Sequence, residues 1–280
     1  MFSALPVVVI TVMIGACGGG GEDTPTGSTT TSGTINAGND PNFTIIAHSD
    51  AGFTATNRKV DVFGIPVYAY AEVEDVKLLH AANIMAQYLD NDEDGQVDNA
   101  TVLTNLTANN AALFMWKTES QVTLDGISLG ADETIPDWHT NGHAGAYDAS
   151  LEEVLHLISQ MGYAAAYPSV FGEQAGTDIA NAMDAARGGH FDSIPSSYPV
   201  GAWYTYDDQT CEYGCMITEY FYWSLTSILG VQENRSSEIS DEWNLNTSSL
   251  VESTDPTVYR LLTDSQYKLP TVLPDGTYRR

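Results

Sequence analysis

Residues 60-VDVFGIPVYAYAEVEDVKLLHAANIMAQYLD-90 change hydrophobic period once, and that change decides the fold class. Up to Val73 the stretch is rich in β-branched and aromatic residues around Gly64-Ile65-Pro66, which reads as strands or extended segments. From Glu74 the apolar residues take a helical spacing: Leu78, Ala82, Met85 and Leu89 form one stripe, and Val76, Leu79 and Ala86 widen it. So broad a stripe predicts a mostly buried helix over 74–90. His80 has no partner at i±3 or i±4 within that helix and reads as a packing histidine.

Outward from this stretch the helical period dominates. Helices are expected over 99-NATVLTNLTANNAALFMW-116, over 150–161 with Gly162 as the stop, over 177-TDIANAMDAARGG-189, and over 216-MITEYFYWSLTSILG-230, the last clear one. Between them 121-QVTLDGISL-129 sets Asp125-Gly126 between two short apolar alternations, which predicts a hairpin. The stretch 231–240 reads as a polar loop, and 265–280 as an irregular tail. No internal repeat and no second linker interrupt 43–280, so the expectation is one α+β domain, mostly helical, with a few short strands or hairpins.

Composition narrows the function. The 280 residues are 43% apolar, enough for a folded core, and carry 37 Asp and Glu against 10 Lys and Arg, a formal charge of -27. Such a chain repels nucleic acid, which is excluded as a partner, and favours cations, divalent metals among them. At the N-terminus an apolar run from Phe2 to Ala16, too short to span a bilayer comfortably, ends in 14-IGAC-17. This resembles a bacterial lipobox, with the departure that Met1 to Pro6 holds no Lys or Arg. The resemblance implies that 1–16 is a lipoprotein signal peptide, that Cys17 is lipidated, and that the chain sits on the cell envelope through this membrane anchor. Gly18 next to the cysteine implies the outer membrane. Residues 17–42 have almost no apolar side chains and read as a flexible tether. Cys211 and Cys215 in 211-CEYGC-215 suit a small disulfide loop, since Gly214 permits the turn and the compartment is oxidising.

In 90-DNDEDGQVD-98, Asp90, Asp92 and Asp94 fall at alternate positions, followed by Gly95 for a sharp turn, the Gln96 carbonyl and Asp98. Hard oxygens at this spacing suit Ca²⁺, and like charges brought together without a counter-ion repel one another. The loop looks like an EF-hand or dockerin-type loop between helical flanks. It departs at the twelfth position, where Thr101 stands in place of a bidentate Glu, so the resemblance implies a structural ion of modest affinity. The ordinary alternative is a solvated acidic turn.

In 150-SLEEVLH-156, Glu152 and His156 share one helix face at i,i+4, with Glu153 beside them. The pattern differs by one residue from the HExxH helix of zinc peptidases, and Glu219 lies on a downstream helix. It resembles the zincin metallopeptidases of the gluzincin branch. The resemblance implies Glu152 in place of the first His ligand, Glu153 as general base, and His156 and Glu219 as ligands of Zn²⁺ or another divalent transition metal. His143 and His190, on glycine-flanked loops, are candidates for the imidazole missing at Glu152. The bland alternative is a surface helix: Ser150-x-x-Glu153 makes a capping box, and Glu152, His156, Ser159 and Gln160 make a wet stripe. The expected function is a surface-anchored, calcium-binding hydrolase acting on peptides. Two others stand beside it. One is a glycan- or protein-binding module that uses exposed aromatics of 198-YPVGAWYTYDDQTCEYGC-215; the other is a decayed peptidase scaffold with Glu152 as its lesion.

Overall fold

The computed structural model describes residues 34–35, 42–124 and 126–279. Six short strands make one sheet in sequence order: β1 (Thr34–Ile35), β2 (Ile45–Ala47), β3 (Arg58–Val62), β4 (Ile65–Ala69), β5 (Leu113–Trp116) and β6 (Ser128–Gly130). β1 to β4 pair antiparallel, and β5 and β6 then add in parallel. Phe63 and Gly64 turn β3 into β4, with φ of 52° and 87°, the left-handed pair that a two-residue hairpin needs. β1 lies inside the stretch expected to be tether, so the sheet edge reaches further towards the N-terminus than 43. Cys17 and the lipobox lie outside the described residues.

The helices are α1 (Asp75–Leu89), α2 (Ala100–Ala108), α3 (Ser150–Ile158), α4 (Ala164–Ala166), α5 (Asp178–Ala186), α6 (Tyr213–Ile228), α7 (Ser236–Ile239), α8 (Ser248–Thr254) and α9 (Pro256–Leu262). The parallel step from β4 to β5 requires a crossover, which α1 and α2 supply. From Leu78 to Leu89 every residue of α1 is buried, a wider contact than one apolar stripe gives. Together these elements form the expected single α+β domain. Among the described residues, no helix is long and apolar enough to cross a membrane.

Four expectations change. The helix over 99–116 ends at Ala108, because Asn110 turns left-handed at φ 53°; the LFMW that follows is β5, a central strand. The segment 121–129 is not a hairpin: β6 pairs in parallel with β5, and Asp125 is outside the described residues. Gly162 does not stop the central helix. The chain runs on through a widened π turn, Ser159–Tyr163, into α4. A Cβ on Gly162 would stand 2.8 Å from Val102 and 3.1 Å from Leu106, so this glycine serves the close approach of α2. Finally, α7 lies within the expected polar loop, and α8 and α9 follow α6. Thr247 caps α8, and Asp255 followed by Pro256 starts α9.

Candidate metal centre

α3 is not a surface helix. Leu151, Val154, Leu155, Leu157 and Ile158 are buried on both flanks, and His156 is only 3% exposed between them. Tyr88 of α1 donates to the Leu151 carbonyl at 2.9 Å, and Gln160 donates to Thr218 of α6 at 3.3 Å, so α3 is tied on both sides. The capping box is absent: Ala149 is the N-cap, and the Ser150 hydroxyl donates to Asp148 at 2.6 Å. Glu153 is therefore not consumed by a cap, and among the described residues no group hydrogen-bonds its side chain.

α6 passes α3 with Glu219 facing inward at 3% exposure, in the run of tyrosines and tryptophan that buries it. His156 Nε2 lies 3.7 Å from a carboxylate oxygen of Glu152 and 3.7 Å from one of Glu219. Both gaps exceed the length of a hydrogen bond, and Nε2 is buried with no partner. Ligand atoms each about 2.0–2.2 Å from one ion stand roughly 3.3–3.6 Å apart in tetrahedral or trigonal geometry. The spacing thus fits a shared cation better than an ion pair, and the donor set of one imidazole and two carboxylates fits a divalent transition metal.

The electrostatics agree in direction. Burial pushes the Glu219 carboxyl up, against the pull of His156, and Glu152 adds to the rise while a Tyr206 hydrogen bond opposes it. Burial alone would depress His156, but Glu219, then Glu152 and Glu153, hold it above its ordinary value. Half-buried Glu153 is pushed well up by burial, partly relieved by His156, with Glu152, Glu133 and Glu219 raising it further. Glu242 is pushed up to about 8 by burial and by the charges of Glu219 and Glu152. Crowded carboxylates that resist ionising together are a standing demand for a cation.

Tyr222 brings its ring 5.5 Å from that of His156 and its hydroxyl to Tyr147 at 3.0 Å. The Arg235 guanidinium lies 3.7 Å over the Tyr147 ring. Tyr147, Tyr206, Tyr222, Arg235 and Glu242 act electrostatically on the centre; the sequence points to Tyr206 only as part of the aromatic run 198–215 and to Tyr222 only as a neighbour of Glu219, and it does not mark Tyr147, Arg235 or Glu242. No local pattern groups them, because they come from four separate places: ahead of α3, ahead of α6, within α6 and around α7.

The two loop histidines go elsewhere. His143 stacks on Trp138 with ring centres 4.2 Å apart, and His190 pairs with Asp184 at 2.8 Å and Asp192 at 3.1 Å on an exposed loop. Neither supplies an imidazole beside His156. His80, expected to be a packing residue, instead pairs with Asp148 at 2.7 Å across 68 positions, beyond the reach of an i±4 search. The aromatics of 198–215 do not form an exposed stacking platform. Tyr204, Tyr206 and Tyr213 are buried, and half-buried Trp203 donates to Asp255 at 3.0 Å. Cys211 and Cys215 are disulfide-bonded, as expected, at the start of α6.

The acidic loop brings oxygens of Asp90, Asp92 and Asp94 within 4.8 Å of one another. Asp90 is fully buried, accepting from Gly95 N at 2.8 Å and from the Tyr278 hydroxyl. Asp94 accepts from Gln96 N at 2.8 Å. Asp98 is outside that group; it accepts from Asn91 N at 2.8 Å, and burial, with the charges of Asp92, Asp90 and Asp94, raises its carboxyl. The C-terminal tail clamps the loop: Asn91 bonds Thr271 and Val272, and Arg279 N donates to Glu93. Compared with known protein families, curated proteins and solved structures, the chain matches none.

Proposed function

We propose that this chain is a metal-dependent hydrolase of the zincin type, acting on peptides and carried on the bacterial envelope by a lipid at Cys17. The observation that carries the reading is the buried, unpartnered His156 Nε2, equidistant at 3.7 Å from Glu152 and Glu219. A bound divalent cation would supply Lewis acidity and lower the pKa of water at the centre. Glu152, His156 and Glu219 would hold it there. Glu153 neighbours the ligands on α3, and burial raises its affinity for a proton well above that of an ordinary carboxylate, which suits a group that takes a proton and hands it on. Tyr206 partly offsets the cost of ionising buried Glu219. Arg235 adds a positive charge that interacts with Glu152, and Tyr222, whose hydroxyl donates to Tyr147, lies beside it.

The lipid anchor rests on 14-IGAC-17, and the structural Ca²⁺ on the spacing and convergence of Asp90, Asp92 and Asp94. A Ca²⁺ there neutralises like charges in a loop that the C-terminal tail already braces.

A fluorogenic peptide library, incubated with the zinc-loaded chain and with its Glu153→Gln variant, tests the reading. Cleavage by the wild type, reduced about 10²–10⁴-fold in Glu153→Gln at unchanged metal content, is the expected result. Equal rates in both proteins would remove Glu153 from the chemistry.

A further inference from the structure

One other group of metal-ligand types converges in the interior, on elements the proposed hydrolase does not use. His80 comes from α1, His139 ends the short turn Pro136–His139, and Asp148 lies just ahead of α3. Their side chains are 6%, 2% and 0% exposed. Both imidazoles present Nε2 to the same atom, Asp148 Oδ2, at 2.7 Å, and the Ser150 hydroxyl reaches that oxygen at 2.6 Å. A carboxylate has about four lone-pair sites over its two oxygens. Oδ2 thus takes three polar neighbours where about two fit, while Oδ1 takes the Ile135 amide at 2.9 Å. His139 also has its Nδ1 buried without a partner.

We propose that His80, His139 and Asp148 form a second divalent transition-metal site, separate from the Glu152–His156–Glu219 centre. Two imidazoles and one carboxylate are a ligand set for Zn²⁺, Fe²⁺ or Mn²⁺, and an ion placed among them relieves the crowding on Oδ2 by replacing two N–H donors. The surroundings are those of ligands held in place before binding. Ser150 Oγ and Ile135 N donate to the carboxylate, the outer support that ligating carboxylates carry. Gly276 lies so near the His80 ring that a Cβ there would be 2.2 Å from Nδ1, and Trp138 packs edge-on against His139 at 5.1 Å. Because α3 starts at this group and carries Glu152 and His156 one and two turns on, the second ion has a structural role, fixing the helix that presents the first centre.

The experiment counts metal. The full chain is kept in calcium, stripped of transition metals, reloaded with Zn²⁺ or Co²⁺ and measured by elemental mass spectrometry. It is compared with His156→Ala/Glu219→Gln, with His80→Gln/His139→Gln and with all four changes together. Two equivalents in the wild type, one in each double variant and none in the fourfold variant is the expected result. One equivalent that survives His80→Gln/His139→Gln would overturn the second site. One equivalent that survives His156→Ala/Glu219→Gln and disappears in His80→Gln/His139→Gln would support the second site and sink the first. Because the histidine substitutions also remove two buried hydrogen bonds, a second readout leaves the group intact. Pulsed electron paramagnetic resonance of the Cu²⁺-loaded His156→Ala/Glu219→Gln protein should show two coordinated imidazoles, and one or none would overturn the proposal.

Discussion

The difference between Glu152 and the histidine of an HExxH helix is one of charge as much as of ligand type. Two carboxylates and an imidazole neutralise a divalent cation, where two imidazoles and a carboxylate leave a net positive charge. An ion held by the proposed set would therefore be a weaker Lewis acid, and the set suits harder metals than Zn²⁺ as well. Substituting Glu152→His should convert the group to the commoner set and raise zinc affinity relative to Mn²⁺; competition binding of the two ions measures it, and an unchanged ratio would place Glu152 outside the coordination sphere. Glu152, Glu153 and His156 could be grouped from the sequence because i,i+4 spacing on one helix is a local property, whereas Glu219, on α6, was marked only by the resemblance and by its aromatic neighbours. His80 was not, since its meaning depends on Asp148, which only the packing of α1 against α3 brings near. Glu153 was legible as a residue but ambiguous in role: Ser150-x-x-Glu153 matches a capping box until the N-cap turns out to be Ala149.

At the scale of elements, α3 is positioned by contacts that local pattern does not announce. Gly162 looks like a helix stop and is instead the place where α2 closes on the π turn. Gly162→Ala should destabilise the chain by about 1–3 kcal/mol through overpacking against Val102 and Leu106, read from chemical denaturation; a neutral result would mean α2 is free to withdraw. The strand LFMW was hidden for a related reason. As a central strand buried on both faces it has no alternation, and a continuous apolar run extends any preceding helical pattern. The tail clasp was invisible altogether, because Gln87 and Asp275 meet across 188 positions. Burial pushes the Asp275 carboxyl up, but its bonds to Thr277 and Gln87 win and hold it below the usual range. A depressed folded pKa means that the contribution is full above the unfolded value of about 3.9 and is lost as pH falls through the folded one. Amide exchange at Gly276 and Thr277 should therefore accelerate below about pH 4 before that of α1 does, and Asp275→Asn should abolish this pH dependence. Simultaneous loss would show that the tail unfolds only with the whole domain.

Across the whole molecule, one excess of negative charge runs through the surface, the 90–98 loop and the centre. In a chain of formal charge -27 the folded state carries its own repulsion, which cations at the proposed sites would offset. Removing Ca²⁺ with a selective chelator should lower the melting temperature and loosen the tail that clamps the loop; at 100 times the dissociation constant the ion contributes about 2.7 kcal/mol. No change on chelation would mark Asp90, Asp92 and Asp94 as a solvated turn held by its own amides. The α+β class was readable because the period of 60–90 switches cleanly, whereas the sheet order was not, since parallel pairing of β4, β5 and β6 leaves no short-range mark. In the proposed centre Glu152, His156 and Glu219 share one ion. Its most direct test is the transition-metal content of the purified chain after mild dialysis, beside His156→Ala and Glu219→Ala. Loss of one equivalent in both variants, with calcium unchanged, is predicted; identical metal content in all three proteins would contradict the account.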